Sequence, residues 1–231
     1  MISNLRLLQW ATWTVEQGPS MLSDIAPLLR RRMSPLARMV VATGLECCRK
    51  AELSPTEPRV VFACRHGEMG VTVDLLRQMA AGETLSPTGF SNSVHHAAVG
   101  YWSLATGNRQ AMRAVAGGDA SFCYGFLDAI GMLGEADQSP VLLIAADEPV
   151  PPPFGEIATD VKTPFAVALL LERASMNEAQ SFSFDMGGRA EKPSGDTDST
   201  EIPAMNFLQW HLKGEGSLEL VLAQRIWRWS K

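Results

Sequence analysis

Three short, unbroken apolar runs constrain this chain more than any other feature. Val-Val-Phe-Ala at 60–63, Val-Leu-Leu-Ile-Ala-Ala at 141–146 and Phe-Ala-Val-Ala-Leu-Leu-Leu at 165–171 carry no polar side chain. A strand that is apolar on both sides is covered on both sides, as in a sheet sandwiched between helices. The segments between the runs have helical periodicity. Ser34 followed by Pro35 reads as an N-cap with proline at the first helical position. Leu36, Val40, Gly44 and Cys47 then recur at helical spacing, which predicts a helix over 33–51. A turn bounded by Gly67 and Gly70 leads into a helix predicted near 71–81. A third is predicted over 91–106, stopped by Gly107, and a fourth over 119–133, where Phe122, Phe126 and Ile130 recur every four residues. A short strand is predicted at 114–118. Strands alternating with helices predict an α/β protein built on a parallel sheet.

The C-terminal part changes character. The Pro-rich stretch 149–154 cannot be sheet interior, and 181–186 alternates like an exposed strand. The Gly-, Ser-, Asp- and Thr-rich stretch 187–203 predicts a flexible loop. A short helix is predicted at 207–213 and strand-like alternation at 217–229. With 231 residues, 46% of them hydrophobic and 19% charged, the chain fits one domain spanning 1–231.

Composition excludes several functions. A net charge of −5 is unsuited to holding a nucleic-acid backbone, which needs clustered Lys and Arg. The longest apolar run has seven residues, against about 20 for a spanning helix. The first 20 residues mix Arg6, Gln9 and Glu16 among the apolar ones and lack a secretory apolar core, so a cytoplasmic location is expected. Cys47, Cys48, Cys64 and Cys123 form no C-x-x-C pair or zinc-type spacing; reduced core thiols are expected, with no metal and no cofactor.

The most informative local feature is Ala114-Val-Ala-Gly-Gly-Asp119-Ala-Ser121-Phe. It reads as a strand, a tight turn and a helix N-terminus, where free backbone N–H groups favour negative charge. Enzymes place nucleophiles at such elbows. The residue on this turn is Asp119, and a plain helix cap explains it equally from local sequence.

The order of "RMSPLARMVVATGLECC", "LSPTGFSNSVHHAAVGYWSLATGNR", "AVAGGDAS" and "VLLIAADE" resembles the N-terminal half of a β-ketoacyl synthase. The resemblance implies a thiolase-like fold, layered α/β/α, holding mainly the first half and a reduced second half. It places Asp119 where the family has its nucleophilic cysteine, and Ser121 at the small residue two places later. Cys123 comes four residues too late. The family's two catalytic histidines lie in second-half motifs that this sequence lacks, and His211 has no such context, so no catalytic residue is expected. A synthase-like chain without its nucleophile resembles the chain-length factor, as in aryl polyene biosynthesis. That implies a heterodimer with a full-length β-ketoacyl synthase whose acyl tunnel this chain shapes during fatty-acid-like or aryl polyene polyketide synthesis. An acyl carrier protein would dock mainly on the synthase. The implied interface and tunnel residues are Thr88, Gly89, Phe90, Asn92, Ser93, His96, Gly100 and Asp119. Two other readings stay open: an acyl-thioester enzyme using Asp119 as nucleophile or base, and a purely structural scaffold for the synthase.

Other conspicuous residues have plainer accounts. His95 and His96 point about 100° apart on a helix and do not share a metal easily. Arg30-Arg31-Arg32 with Arg38 is the one basic cluster in the sequence. It fits either a solvated helix start or contact with an acidic carrier protein. Trp10, Trp13, Trp227 and Trp229 fit core packing of the two ends of the chain against each other.

Overall fold

The computed structural model describes residues 2–13, 22–134, 139–156, 161–174, 181–189 and 202–231. Its elements are β1 (Ile2–Trp13), α1 (Pro27–Arg32), α2 (Pro35–Lys50), β2 (Arg59–Ala63), α3 (Met69–Ala80), α4 (Pro87–Asn92), α5 (Ala97–Thr106), β3 (Met112–Val115), α6 (Ser121–Leu133), β4 (Val141–Asp147), β5 (Phe165–Arg173), β6 (Phe182–Arg189), α7 (Pro203–Lys213), β7 (Ser217–Leu222) and β8 (Arg225–Ser230). One eight-stranded sheet runs in the order β3-β2-β4-β5-β1-β6-β8-β7. The expected two-sided burial holds: every residue of β2 and β4 is buried, as is most of β5.

The sheet is mixed rather than parallel. Only β3, β2 and β4 run parallel. From β4 onward every pairing is antiparallel. β5 follows β4 as its antiparallel neighbour, and β1 inserts between β5 and β6. Sequence patterning missed β1, and its register shows why. It shifts between Leu7 and Gln9, so Leu5 and Leu7 face one side while Ala11 and Trp13 face the other. A bulge inside a strand inverts the alternation by which strands are read.

Two apolar layers sandwich the sheet. On one side α2 and α5 pack on alternate residues of β2, β4 and β5, with Leu36, Val40, Trp102, Phe62, Ile144 and Leu170 at the centre. Ser34 caps α2 as expected, its Oγ accepting from the Ala37 amide at 2.9 Å. Gly44 lets α2 approach α5 closely, since a Cβ there would lie 2.6 Å from the Trp102 ring. On the other side α6 and α7 cover a core rich in aromatic rings. Phe126 lies with ring centroids 5.2 Å from Phe207, 5.3 Å from Phe184 and 5.5 Å from Trp229. Trp227 and Trp229 belong to this core, Trp10 lies against it, and Trp13 lies against the opposite one.

Other boundaries also differ from expectation. The helix predicted over 91–106 is two helices, α4 and α5, separated at 93–96. Tertiary hydrogen bonds break it. Asn92 Nδ2 donates to the Arg32 carbonyl, Tyr101 Oη donates to Asn92 Oδ1, and His95 Nε2 bonds the Cys64 carbonyl at 2.9 Å. α4 has its own start signal, Ser86 capping Gly89 with Pro87 next in sequence. The stretch predicted at 217–229 is a β7–β8 hairpin, turned by Ala223 and Gln224 at φ of 49° and 58°. Of the predicted loop 187–203, residues 187–189 belong to β6, 203 begins α7, and 190–201 lie outside the described residues. Among the described residues no helix is long and apolar enough to cross a membrane.

Candidate functional site

Parallel strands direct their carboxyl ends to one rim, where loops rather than ladder bonds meet ligands. Here β2 ends at Ala63, β3 at Val115 and β4 at Asp147. The link from β3 to α6 is the elbow read from the sequence. Gly118 adopts φ of 62°, and a Cβ at Gly117 would come within 2.3 Å of the Tyr124 ring. Both positions therefore demand glycine. Ser121 locks the turn, its Oγ accepting from the Gly117 amide at 3.0 Å and donating to the Gly118 carbonyl at 2.7 Å. Asp119 is exposed on a single 3-10 turn just ahead of α6. It makes no cap hydrogen bond, so the plain capping account fails.

Asp119 lines a cleft of about 80 Å³ together with Arg65, Ser121, Phe122, Asp147 and Phe165. Among the described residues no thiol or imidazole lines it. Cys123, one turn further along α6, is fully buried, and burial together with the Asp119 charge pushes its thiol upward. Cys64 is buried and its Sγ donates to Asp147 Oδ1 at 3.0 Å; burial and that carboxylate push its thiol up as well. His211 sits on α7 among Phe182, Phe207 and Trp210, and burial lowers its pKa to about 4. Its described lining has carboxylates and a guanidinium, but among the described residues no group suited to thioester exchange. A larger hollow of about 660 Å³ lies at the carboxyl ends of α2 and α5, remote from this rim.

The remaining candidate residues gather around α4 and α5. Thr88, Gly89 and Phe90 lie on α4, and Phe90 is 68% exposed. Gly89 faces α3, since a Cβ there would meet Leu75 at 3.3 Å. Asn92 is buried and bonded inward, Ser93 lies on the intervening turn, and His96 is exposed. Gly100 on α5 looks into open space. Phe90, Val94 and Leu104 are large exposed apolar residues on this side of the molecule.

Sequence reasoning missed the loop after β2. The Asp147 carboxylate accepts from the Arg65 and His66 amides and the Cys64 thiol, fastening that loop to the end of β4. Burial still leaves Asp147 above its ordinary range. Glu68 is only 3% exposed, and its Oε1 accepts from Ser34 Oγ at 2.7 Å. Burial, with the charge of Glu148, raises Glu68 to about 7. A signal was present: Arg65-His66-Gly67-Glu68 and Asp147-Glu148 each follow a wholly apolar strand. Among the described residues no three His, Cys, Asp or Glu side chains gather as metal ligands.

A Gly-rich elbow at the head of a central helix, on a layered α/β/α sheet, is the architecture of the thiolase-like condensing proteins. This chain belongs to the β-ketoacyl synthase N-terminal domain family, whose model matches residues 7–230. Among solved structures it is similar to a chain in the complex of a ketosynthase with its chain length factor from Xenorhabdus doucetiae. That match has 22% identity and a TM-score of 0.79, and covers 100% of both chains. The ishigamide ketosynthase/chain length factor matches at 13% identity and a TM-score of 0.62, covering 79% of this chain and 67% of the other. A β-ketoacyl synthase from Burkholderia phymatum matches at 14% identity and a TM-score of 0.60, covering 92% of this chain and 64% of the other. No curated protein matches by sequence. The expected thiolase-like fold is thereby shown.

Proposed function

We propose that this chain is a non-catalytic, chain-length-factor-like subunit that pairs with an active β-ketoacyl synthase and shapes its acyl tunnel. The observation that carries the reading is Asp119 on the elbow, in a cleft that no thiol or imidazole lines among the described residues. A carboxylate there cannot take up an acyl chain by thioester exchange as a thiolate does. The partner would supply the nucleophile and both histidines. Exposed Phe90 on α4, Val94 on the turn after it and Leu104 on α5 give this side the apolar surface that a stable subunit contact needs. Phe90, which is exposed, and Gly100, which has open space around it, would reach or border the partner's acyl pocket, with Thr88, Ser93 and His96 beside them. The products would be fatty-acid-like or aryl polyene chains, delivered on an acyl carrier protein that docks mainly on the synthase.

The test is co-expression with a candidate full-length β-ketoacyl synthase, tagging only this chain, followed by pull-down and mass determination. A one-to-one complex is expected, with no condensation by this chain alone. Gly100→Trp should shorten the products and Phe90→Ala should lengthen them. Condensation by the purified chain alone would overturn the reading. A stable complex whose product length ignores both substitutions would favour the scaffold role instead.

A further inference from the structure

The residues between β2 and α3, Cys64 to Glu68, form a strap tied down from three sides. At the end of β4, the Asp147 carboxylate accepts from the Cys64 thiol at 3.0 Å, the Arg65 amide at 3.0 Å and the His66 amide at 3.1 Å. The Gly67 amide donates back to Cys64 Sγ at 3.1 Å. At the start of α2, Ser34 Oγ donates to Glu68 Oε1 at 2.7 Å. From the turn between α4 and α5, His95 Nε2 donates to the Cys64 carbonyl at 2.9 Å. A Cβ on Gly67 would come within 2.8 Å of the His95 ring, so strap and turn are in close contact. That turn carries Val94, an exposed apolar residue of the surface assigned above to the synthase.

Glu68 is the ionisable member of this clamp that lacks a counter-charge. It precedes α3, yet its side chain makes no bond to the free amides of that helix. From α2 it meets the neutral Ser34, and Arg38 on the same helix turns instead to the Arg30 carbonyl. From the end of β4 the Glu148 charge opposes its own, while Asp147 is engaged with the strap. Arg65 and His66 on the strap and His95 on the turn are the other ionisable groups at hand. Among the described residues, Glu148 is the one charge that displaces Glu68. A buried carboxylate in such company is relieved by moving into water. We propose that Glu68 is a proton-operated latch: protonated, it closes the strap on the 93–96 turn, and ionised, it lets the strap open and frees that turn. His95 transmits the change. Its Nε2–H donates to a carbonyl whether the ring is neutral or charged, so the bond follows the strap. Only the statement that the freed surface serves a synthase rests on the functional reading above.

The experiment is hydrogen exchange by mass spectrometry on the whole chain at pH 6, 7 and 8, comparing wild type with Glu68→Gln at each pH so that the intrinsic exchange rate cancels. The amides to follow are Arg65, His66 and Gly67 on the strap, and Ser93 and Ala97, which donate to the Phe90 and Val94 carbonyls around the turn. A carboxyl that moves from 4.5 when released to about 7 when closed makes the closing constant fall about tenfold from pH 6 to pH 8. The wild-type rate relative to Glu68→Gln should therefore rise about tenfold over that range, at strap and turn together. Amides of β4 should exchange more slowly than both at every pH, which marks the opening as local. His95→Ala should keep the response at the strap and lose it at the turn, and His95→Gln, with a donor of similar reach, should restore it. A ratio that does not change with pH overturns the proposal. So does a response at the strap that the turn does not share in the wild type, a turn response that survives His95→Ala, or exchange of strap and turn no faster than that of β4. Adding a full-length β-ketoacyl synthase should slow exchange at the turn. Absence of any complex overturns the functional reading instead, and the exchange of the isolated chain decides the latch separately.

Discussion

Glu68 makes the molecule's stability depend on pH in an unusual direction. Its carboxyl is 3% exposed, and Ser34, the cap of α2, is its hydrogen-bond donor. Ser34 Oγ also accepts from the Ala37 amide, so one hydroxyl joins α2 to the start of α3. Burial and the neighbouring Glu148 charge lift Glu68 from its ordinary 4.5 to about 7. A carboxyl raised on folding holds its proton more tightly in the native state. Its contribution is therefore complete below pH 4.5 and is lost as pH rises through about 7. At about 1.4 kcal/mol per unit, the loss above pH 7 amounts to about 3 kcal/mol. Glu68→Gln keeps an oxygen for Ser34 to donate to and removes the ionisation. At pH 8 the variant should be about 3 kcal/mol more stable than the wild type. For a chain of this size that corresponds to a Tm higher by about 6–12 °C. At pH 5 only the unfolded-state carboxyl has begun to ionise, so the gap between the two should shrink to below about 1 kcal/mol. Thermal melts followed by circular dichroism across pH 5 to 8 provide the assay. A Tm difference independent of pH, or a variant less stable at pH 8, would refute the reasoning.

Other consequences are directly measurable. Phe126 lies at the centre of the aromatic core, so Phe126→Ala should cost about 3–5 kcal/mol in denaturant unfolding. Cys47, Cys48, Cys64 and Cys123 are all buried with raised thiols, and iodoacetamide should label none of them until denaturant is added, as read by mass spectrometry. Asp119→Cys should not create condensing activity in the isolated chain, because no imidazole lines the cleft; release of labelled carbon dioxide from a malonyl thioester would contradict this. Gly44→Ala should lower stability by about 1–3 kcal/mol, because its Cβ would run into Trp102.

Legibility of the fold followed the strength of local signals. α2, with its Ser-Pro start, and the apolar strands β2, β4 and β5 stand where patterning put them, because cap chemistry and two-sided burial are written into adjacent residues. β1 was illegible because its bulge breaks the alternation, although Leu5, Leu7 and Ala11 are all buried. The division of 91–106 was illegible because the bonds that break the helix come from Arg32 and Cys64, far away in sequence. At the site the elbow and Asp119 were readable from Gly117-Gly118 alone. The tie between Ser34 and Glu68 was not, since 34 residues separate the partners.

By itself the sequence determined the α/β class, the elbow with a carboxylate at its tip, and the family order of motifs. All three depend on residues a few positions apart, where backbone preference and periodicity act directly. Only the tertiary structure decided that the sheet is mixed, that Glu68 is buried against a helix cap, and that the loop after β2 is bonded to the turn between α4 and α5. Those facts arise where distant segments meet, and hydrogen bonding and desolvation there depend on partners that no local window contains.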